Sequence, residues 1–237
     1  MPMDQHSHKI SLPLMGKKLF WSLFILVLVH TSGAIGMAFY DKVLFSGMTA
    51  YNLMLMFVLL IWNQGEKDKR FLYAFITAFS VGLIVELIGV NTQQLFGSYT
   101  YGNVLGVKLY GVPILIGVNW FIIVFSCYLL AGLFLDRMYS NVKTSNAVFI
   151  SYLIQPMLGA LFAVSFDWLM EPVAPKLGFW FWNDNMIPVF NYTCWFIFSL
   201  LISISFKVFK IGFSNWFAPF LIGVQTIFFI FLRIFLN

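Results

Sequence analysis

"VELIGVNTQQLFGSYTYG", residues 85–102, begins inside an apolar run and ends in a polar, aromatic loop. Glu86 stands in that run among Ile84, Val85, Leu87 and Ile88. What surrounds the run decides what a carboxylate is doing there. The chain has 237 residues, of which 61% are hydrophobic, 20% aromatic and only 10% charged, with 29 phenylalanines. Its mean hydropathy is +0.88. A soluble domain is about 25% charged, so this chain has too little polar surface to cover a water-soluble globule. It reads as an integral membrane protein.

A helix crossing the hydrocarbon core needs about 20 apolar residues. Seven runs qualify, at 19–39, 44–63, 71–90, 113–135, 147–170, 188–209 and 216–236. The second is the weakest, softened by Ser46, Gly47, Thr49 and Asn52. The expected fold is an all-α, polytopic transmembrane helix bundle of about seven spans. Residues 1–18 are expected to form a cytoplasmic tail, and residues 19–237 a single transmembrane domain. Lys17 and Lys18 mimic the start of a signal peptide, but the apolar stretch runs on past His30 to Phe39, which favours an uncleaved helix.

Charge sets the orientation. With the N-terminus inside, cytoplasmic segments carry Lys9, Lys17, Lys18, Lys67, Lys69, Arg70, Arg137, Lys143, Lys207 and Lys210. The other side carries only Lys42, Lys108, Lys176 and Arg233. This positive-inside bias gives N-in, C-out, in the cell membrane of a bacterium or archaeon. The net charge of +5 is scattered through short loops, with no basic face to track a phosphate backbone, so nucleic acid is not an expected partner. Cys127 and Cys194 fall inside apolar spans and read as small packing residues.

The loops 91–112 and 171–187 then emerge together on the outer side, rich in Trp, Tyr, Phe, Gly and Asn. An interfacial aromatic belt is the plain reading, but loops of this length are more often functional than mere connectors. Asp4, Asp41, Glu66, Asp68, Asp136 and Asp184 lie in tails or loops, where water explains them. Glu86 and Asp167 do not, and Glu171 sits at the membrane boundary. A carboxylate at a helix centre costs about 2.5–3.5 kcal/mol on insertion scales. Ala78, Gly82 and Glu86 recur every four residues, as do Gly159, Ala163, Asp167 and Glu171, so each acid continues a stripe of small residues that lets helices approach closely. Each acid is therefore expected to point into the bundle. Asp167 and Glu171 are one turn apart, where like charges repel, and at least one of them is expected to keep its proton.

Similar punctuation follows both acid-bearing helices. Pro113 precedes Trp120 by seven residues and Pro188 precedes Trp195 by seven, with Asn119 and Asn191 close before the tryptophans. Helices three–four and five–six thus read as a repeat that brings two half-sites face to face. His30, beside Thr31 and Ser32, reads as a packing residue. No helix carries His-x-x-x-His or Glu-x-x-His spacing, so no metal is expected. The last span has no lysine for a retinal Schiff base.

With these residues in view, "ELIGVNTQQLFGSYTYG", "GVPILIGVNW", "DWLMEP", "FWFW" and "IPVFNYTCW" together resemble the CruF-like carotenoid biosynthesis family, the membrane carotenoid 1,2-hydratases. The resemblance covers residues 86–195 in matching order. It places Glu86, Asp167 and Glu171 on the family's acids. Thr92, Phe96, Gly97, Tyr99 and Tyr101 fall on its loop, and Pro188, Asn191 and Trp195 on its last motif. Gln93 stands where the family usually has Gly, and Glu171 where it usually has Asp.

The resemblance implies addition of water to the terminal 1,2 double bond of a membrane-dissolved acyclic carotenoid, with no cofactor, beside other enzymes of carotenoid synthesis. Asp167 is then the expected proton donor, with Glu171 tuning it. Glu86 positions or deprotonates the water, helped by Asn91, Asn191 and Thr92. Trp168, Trp180, Trp182, Tyr99 and Tyr101 offer faces to a cation, and Phe96, Asn119, Trp120 and Trp195 complete the expected substrate slot. A carotenoid end-group cyclase also begins with acid and alkene but must exclude water. A proton-coupled transporter requires polar residues continuing across the bundle, whereas Ala, Gly, Phe and Val lie below Glu86 and Asp167. Reporter fusions after Arg137 and after Lys210 should read cytoplasmic and one near Asn185 external; the reverse pattern would overturn the orientation.

Overall fold

The computed structural model describes residues 16–65, 69–139, 145–183 and 185–236, with the backbone alone for 145–152. Residues 1–15 of the expected tail, with Asp4, His6, His8 and Lys9, lie outside the described residues, as do Glu66, Lys67, Asp68, Lys143 and Asp184.

Among the described residues, six helices are long and apolar enough to cross a membrane. They are α1 (Lys17–Phe39), α4 (Lys69–Thr92), α5 (Leu115–Tyr139), α6 (Ser145–Met170), α7 (Val189–Val208) and α8 (Phe217–Phe235). The expected run at 44–63 is divided into α2 (Lys42–Gly47) and α3 (Thr49–Asn63). The reason is local. The Asp41 carboxylate caps α2 by accepting from the Leu44 N–H, and Ser46 donates to the Val43 carbonyl. Met48 then ends one helix and starts the next. The polar softness of this segment marks the break. At 15 residues, α3 is about 22 Å long and still runs from one end of the bundle to the other. Its far end is tied to the loop before α8 by Gln64, which donates to Ser214 Oγ at 2.6 Å, and by Gly65 N–H on the Ser214 carbonyl.

With α3 counted among them, the helices alternate in direction around α5, which packs against α3, α4, α6, α7 and α8. α1 and α8 run parallel: Phe39 meets Phe231 and Phe235, while His30 meets Phe228. Apolar periodicity cannot fix which faces meet in lipid, where tails are as apolar as Leu, so close packing of small residues does it. Ala78, Gly82 and Glu86 are all buried on α4, and a Cβ at Gly82 would strike the Trp120 indole of α5. On α6, a Cβ at Gly159 would come within 3.1 Å of the Tyr128 backbone, and Ala163 is fully buried. Below these contacts a phenylalanine stack fills the interior, Phe71, Phe75, Phe121 and Phe125 meeting at centroid distances of 5.1–5.8 Å.

The loops after α4 and α6 carry short strands that helix periodicity does not reveal. β1 (Tyr99–Tyr101) pairs antiparallel with β4 (Trp180–Trp182), in the register Tyr99↔Trp182, Thr100↔Phe181 and Tyr101↔Trp180. β2 (Lys108–Leu109) and β3 (Val112–Pro113) form a hairpin. Its two central residues have positive φ, 44° at Tyr110 and 84° at Gly111, as a twist-matched hairpin turn requires. Strand alternation turns Tyr99, Tyr101, Trp180 and Trp182 inward and leaves Thr100 and Phe181 outward, because successive side chains take opposite faces. The β1–β4 pairing continues at Gly102, whose N–H reaches the Phe179 carbonyl at 2.8 Å. A Cβ there would collide with the Gly178 carbonyl. Gly102→Ala should therefore part the two loops and destabilise the protein by roughly 1–3 kcal/mol, read as a lowered melting temperature in detergent; an unchanged melting temperature would show that the strand pairing carries no stability.

Candidate active site

Four helices, α4, α5, α6 and α7, and the two paired strands enclose one cavity that brings Glu86, Asp167 and Glu171 together. All three are buried, at 4%, 0% and 2% exposure. Their oxygens are met by donors in an ordered way. Glu86 Oε2 accepts from the Tyr99 hydroxyl at 2.5 Å and the Tyr101 hydroxyl at 2.7 Å, and Oε1 from Trp120 Nε1 at 3.0 Å. Glu171 Oε2 accepts from Trp182 Nε1 at 2.7 Å and Trp180 Nε1 at 3.1 Å. Asn191 Nδ2 bridges the other two acids, donating to Asp167 Oδ2 at 2.9 Å and Glu171 Oε1 at 3.1 Å. One carboxyl oxygen is left. Asp167 Oδ1 is buried without a partner among the described residues.

The two half-sites mirror each other. A strand with two inward aromatics clasps an acid in each, Tyr99 and Tyr101 on Glu86, Trp180 and Trp182 on Glu171. The tryptophans at matching places in the repeat, Trp120 and Trp195, stack at 3.9 Å with an interplanar angle of 6°. Antiparallel pairing of β1 with β4 joins the halves. The strand residues also pack on one another, Tyr99 on Trp182 at 5.1 Å and Tyr101 on Trp180 at 6.1 Å. Burial first, and then the Glu86 carboxyl, hold both phenols well above the usual tyrosine range, so both act as donors.

Of the residues expected from sequence, Phe96, Tyr99, Tyr101, Asn119, Trp120, Trp180, Trp182, Asn191 and Trp195 line this cavity with the three acids. Three others stand apart. Asn91 donates to the Leu87 and Tyr110 carbonyls, and so ties the β2–β3 hairpin to the end of α4. Thr92 donates to the Ile88 carbonyl and accepts from the Gln94 N–H, closing the helix. Trp168 follows Asp167 by one residue, about 100° round the helix; it is half exposed and carries the Arg233 guanidinium over its ring at 4.2 Å. Sequence reasoning also left out Ile116 and Met170, which complete the wall; nothing separates them from other apolar helix residues.

The cavity measures about 20 Å³, and a buried water needs about 10–15 Å³ with polar partners. It adjoins a second, largely apolar cavity of about 410 Å³ between α1, α3, α5, α6 and α8. Ile116, Asn119, Met170 and Trp180 line both. Among the described residues no group of His, Cys, Asp and Glu is arranged to hold a metal ion.

Three buried carboxyl groups beside an apolar slot, in a bundle of membrane-length helices, define a class, the multi-pass helical membrane proteins. The family is more particular. Residues 45–234 match the family described as carotenoid biosynthesis protein, and the chain belongs to it. A curated relative, the bisanhydrobacterioruberin hydratase of Haloarcula japonica, is 31% identical over 144 residues, covering 59% of this chain and 44% of the relative. The chain thus matches less than half the length of that relative. No solved structure matches.

Glu171 lies one residue beyond α6. Burial, outweighing the hydrogen bonds from Trp182 and Trp180, raises its carboxyl above the usual range. The folded protein therefore holds this proton more tightly than the unfolded chain does. That stabilisation is complete below the ordinary glutamate value and is lost as pH rises through the raised one. Thermal stability in detergent should fall across that window in the parent and fall less in Glu171→Gln, which carries no titrating group. Parallel pH profiles for the two proteins would contradict the assignment.

Proposed function

We propose that the protein is a carotenoid hydratase, adding water across the terminal 1,2 double bond of an acyclic carotenoid end to give a 1-hydroxy carotenoid. The observation that carries this reading is Asp167 Oδ1. Every other oxygen of the three acids accepts a hydrogen bond from an N–H or O–H donor. Oδ1 alone is free of a partner among the described residues, and it is the oxygen open to carry a donatable proton. The bridging Asn191 fixes its direction.

The polyene lies in the 410 Å³ apolar cavity, its end group passing Asn119 and Trp180 to the acids. Asp167 transfers its proton to C2 of the terminal alkene. The double-bond electrons form the new C–H bond, and a tertiary cation is left at C1. The stacked indoles of Trp120 and Trp195 and the rings of Tyr99 and Trp180 present faces and edges around that centre, and aromatic faces attract cations. A water in the smaller cavity attacks C1 and loses a proton to Glu86. The proton returns to Asp167 through that cavity, so the acid is restored and the net change is one water added. Glu171 stands beside Asp167 as a positioning residue, tied to it by Asn191 and held by two indoles.

A cyclase acting on the same end group needs a dry site. Room for a water, bounded by Glu86, Asp167, Glu171, Asn119 and Asn191, favours hydration. The match to a relative named as a hydratase supports the same class of reaction. The site sits in the outer half of the membrane when the charge bias sets the orientation, and the membrane proposed is the cytoplasmic membrane of a bacterium or archaeon.

Asp167→Asn keeps the shape and removes the donatable proton. In cells making an acyclic carotene, the parent should yield pigment heavier by one water per hydrated end. Asp167→Asn should lower that yield by about 10²–10⁴-fold at equal protein in the membrane. Glu86→Gln should do comparable damage, and Asp136→Asn, at the far end of α5, little. Near-normal hydration by Asp167→Asn would remove it from the proton-donating role, and pigment of unchanged mass with altered absorption would point to cyclisation.

A further inference from the structure

The four residues that line both the acid cavity and the apolar slot, Ile116, Asn119, Met170 and Trp180, differ in what they can still bond. Ile116 and Met170 are apolar. The Trp180 N–H is already given to Glu171 Oε2. Asn119 is half-buried, and among the described residues no hydrogen bond engages its side chain. Its amide is not sealed off either, as Asn52 Oδ1 and Gln225 Oε1 are. An open amide offers an acceptor oxygen and two N–H donors where the polar and apolar cavities meet.

The other polar side chains expected to hold water beside Glu86 are occupied. Asn91 and Thr92 bond to carbonyls at the end of α4 and in the β2–β3 hairpin, and Asn191 donates to Asp167 and Glu171. Asn119 lies inside α5 rather than at its N-cap, so helix capping does not account for it. Its neighbour Trp120 fixes where it stands. The Trp120 indole donates to Glu86 Oε1 and fills the space where a Cβ on Gly82 would lie, so this turn of α5 is pinned beside Glu86. The acid cavity is sized for about one water, which needs two or more polar partners. Glu86 Oε2 already accepts from two phenols, whereas Oε1 accepts from Trp120 alone, and a carboxylate oxygen has room for about two donors.

A tertiary cation has more than one exit. Water adds at C1 and gives up a proton to Glu86, which yields the alcohol. Otherwise a carbon next to C1 loses a proton to a carboxylate and an alkene is restored, or the next double bond along the chain attacks C1 and the ring then loses a proton. Neither of these adds mass. We propose that Asn119 is the positioning residue that holds the attacking water, and so decides that the cation is hydrated rather than deprotonated or cyclised. One water hydrogen goes to Glu86 Oε1 and the other to Asn119 Oδ1, which leaves the water lone pairs unspent for C1. This role rests on the hydratase reading and deepens it.

The test reads how the cation divides. Purified full-length protein in liposomes is given an acyclic carotene in heavy water, and deuterium on carbon is measured in the alcohol and in the unhydrated hydrocarbon. The parent should place its deuterium in the alcohol. Asn119→Leu should still protonate the alkene, so deuterium moves into the hydrocarbon and its ratio to hydration rises at least about tenfold, the weight of one lost hydrogen bond. Asn119→Val, which is smaller, gives the same reading should Leu not fit, and Asn119→Ser, which keeps a donor and acceptor, should restore part of the hydration. Melting temperatures should stay near the parent's, because the amide bonds to nothing in the fold. Hydration and deuterium uptake that fall together in the Leu and Val variants, or an unchanged ratio, overturn the proposal. A parent that adds neither water nor deuterium would instead refute the hydratase reading itself, and the role of Asn119 with it.

Discussion

The end of the bundle that carries the β1–β4 strands depends on the pairing of three buried carboxyl groups with donors drawn from two loops. Leaving such groups unpaired away from water costs several kcal/mol each, and the hydrogen bonds that relieve it, about 1.5–3 kcal/mol each to a charged group, also dictate geometry. Tyr99 and Tyr101 must face inward to reach Glu86, and Trp180 and Trp182 to reach Glu171. Alternate residues of a strand share a face, so each loop must be extended at that point. Two extended segments side by side then pair, as β1 and β4 do. Gly102 is there because the strands approach too closely for a side chain. A small sheet in an otherwise helical protein follows from where three acids sit.

The same pairing leaves one oxygen unfilled, the one to which the proposed mechanism assigns the proton. A site with every acceptor filled would be only a clasp. Asn191 donates to Asp167 Oδ2 and to Glu171 Oε1 and leaves Oδ1 buried with no partner among the described residues. Structure and proposed chemistry meet at that atom. The indole and phenol donors that hold the acids also line the cavity with their rings, so in the proposed mechanism one set of side chains both anchors the acids and surrounds the cation.

Much of this was legible in the chain. Glu86 and Asp167 announced themselves because a carboxylate in an apolar run needs a reason, and the four-residue stripes of small residues told which way they point. The paired spacing from Pro113 to Trp120 and from Pro188 to Trp195 suggested two facing half-sites, and in the structure Trp120 and Trp195 stack on one another. What stayed hidden was set by tertiary contact. Helix periodicity could not reveal that three residues of each loop pair as strands. Asn91 and Thr92 looked like site residues because they follow Glu86 closely, yet their side chains are taken up by carbonyls of their own helix end and hairpin. Trp168 adjoins Asp167 in sequence and so points elsewhere on the helix. Thr49 and Asn52 showed only as a softening of the second span, and the structure places them on the wall of the cavity that α1, α3 and α8 help to close.

The central claim is that an acid proton goes to carbon and water goes to the cation it creates. The most direct test is to run purified protein in liposomes in heavy water with an acyclic carotenoid, and to locate deuterium in the product. The account predicts one carbon-bound deuterium beside each new tertiary hydroxyl, introduced by the parent and not by Asp167→Asn. A hydroxylated product with no carbon-bound deuterium, or deuterium incorporated equally by both proteins, would contradict it.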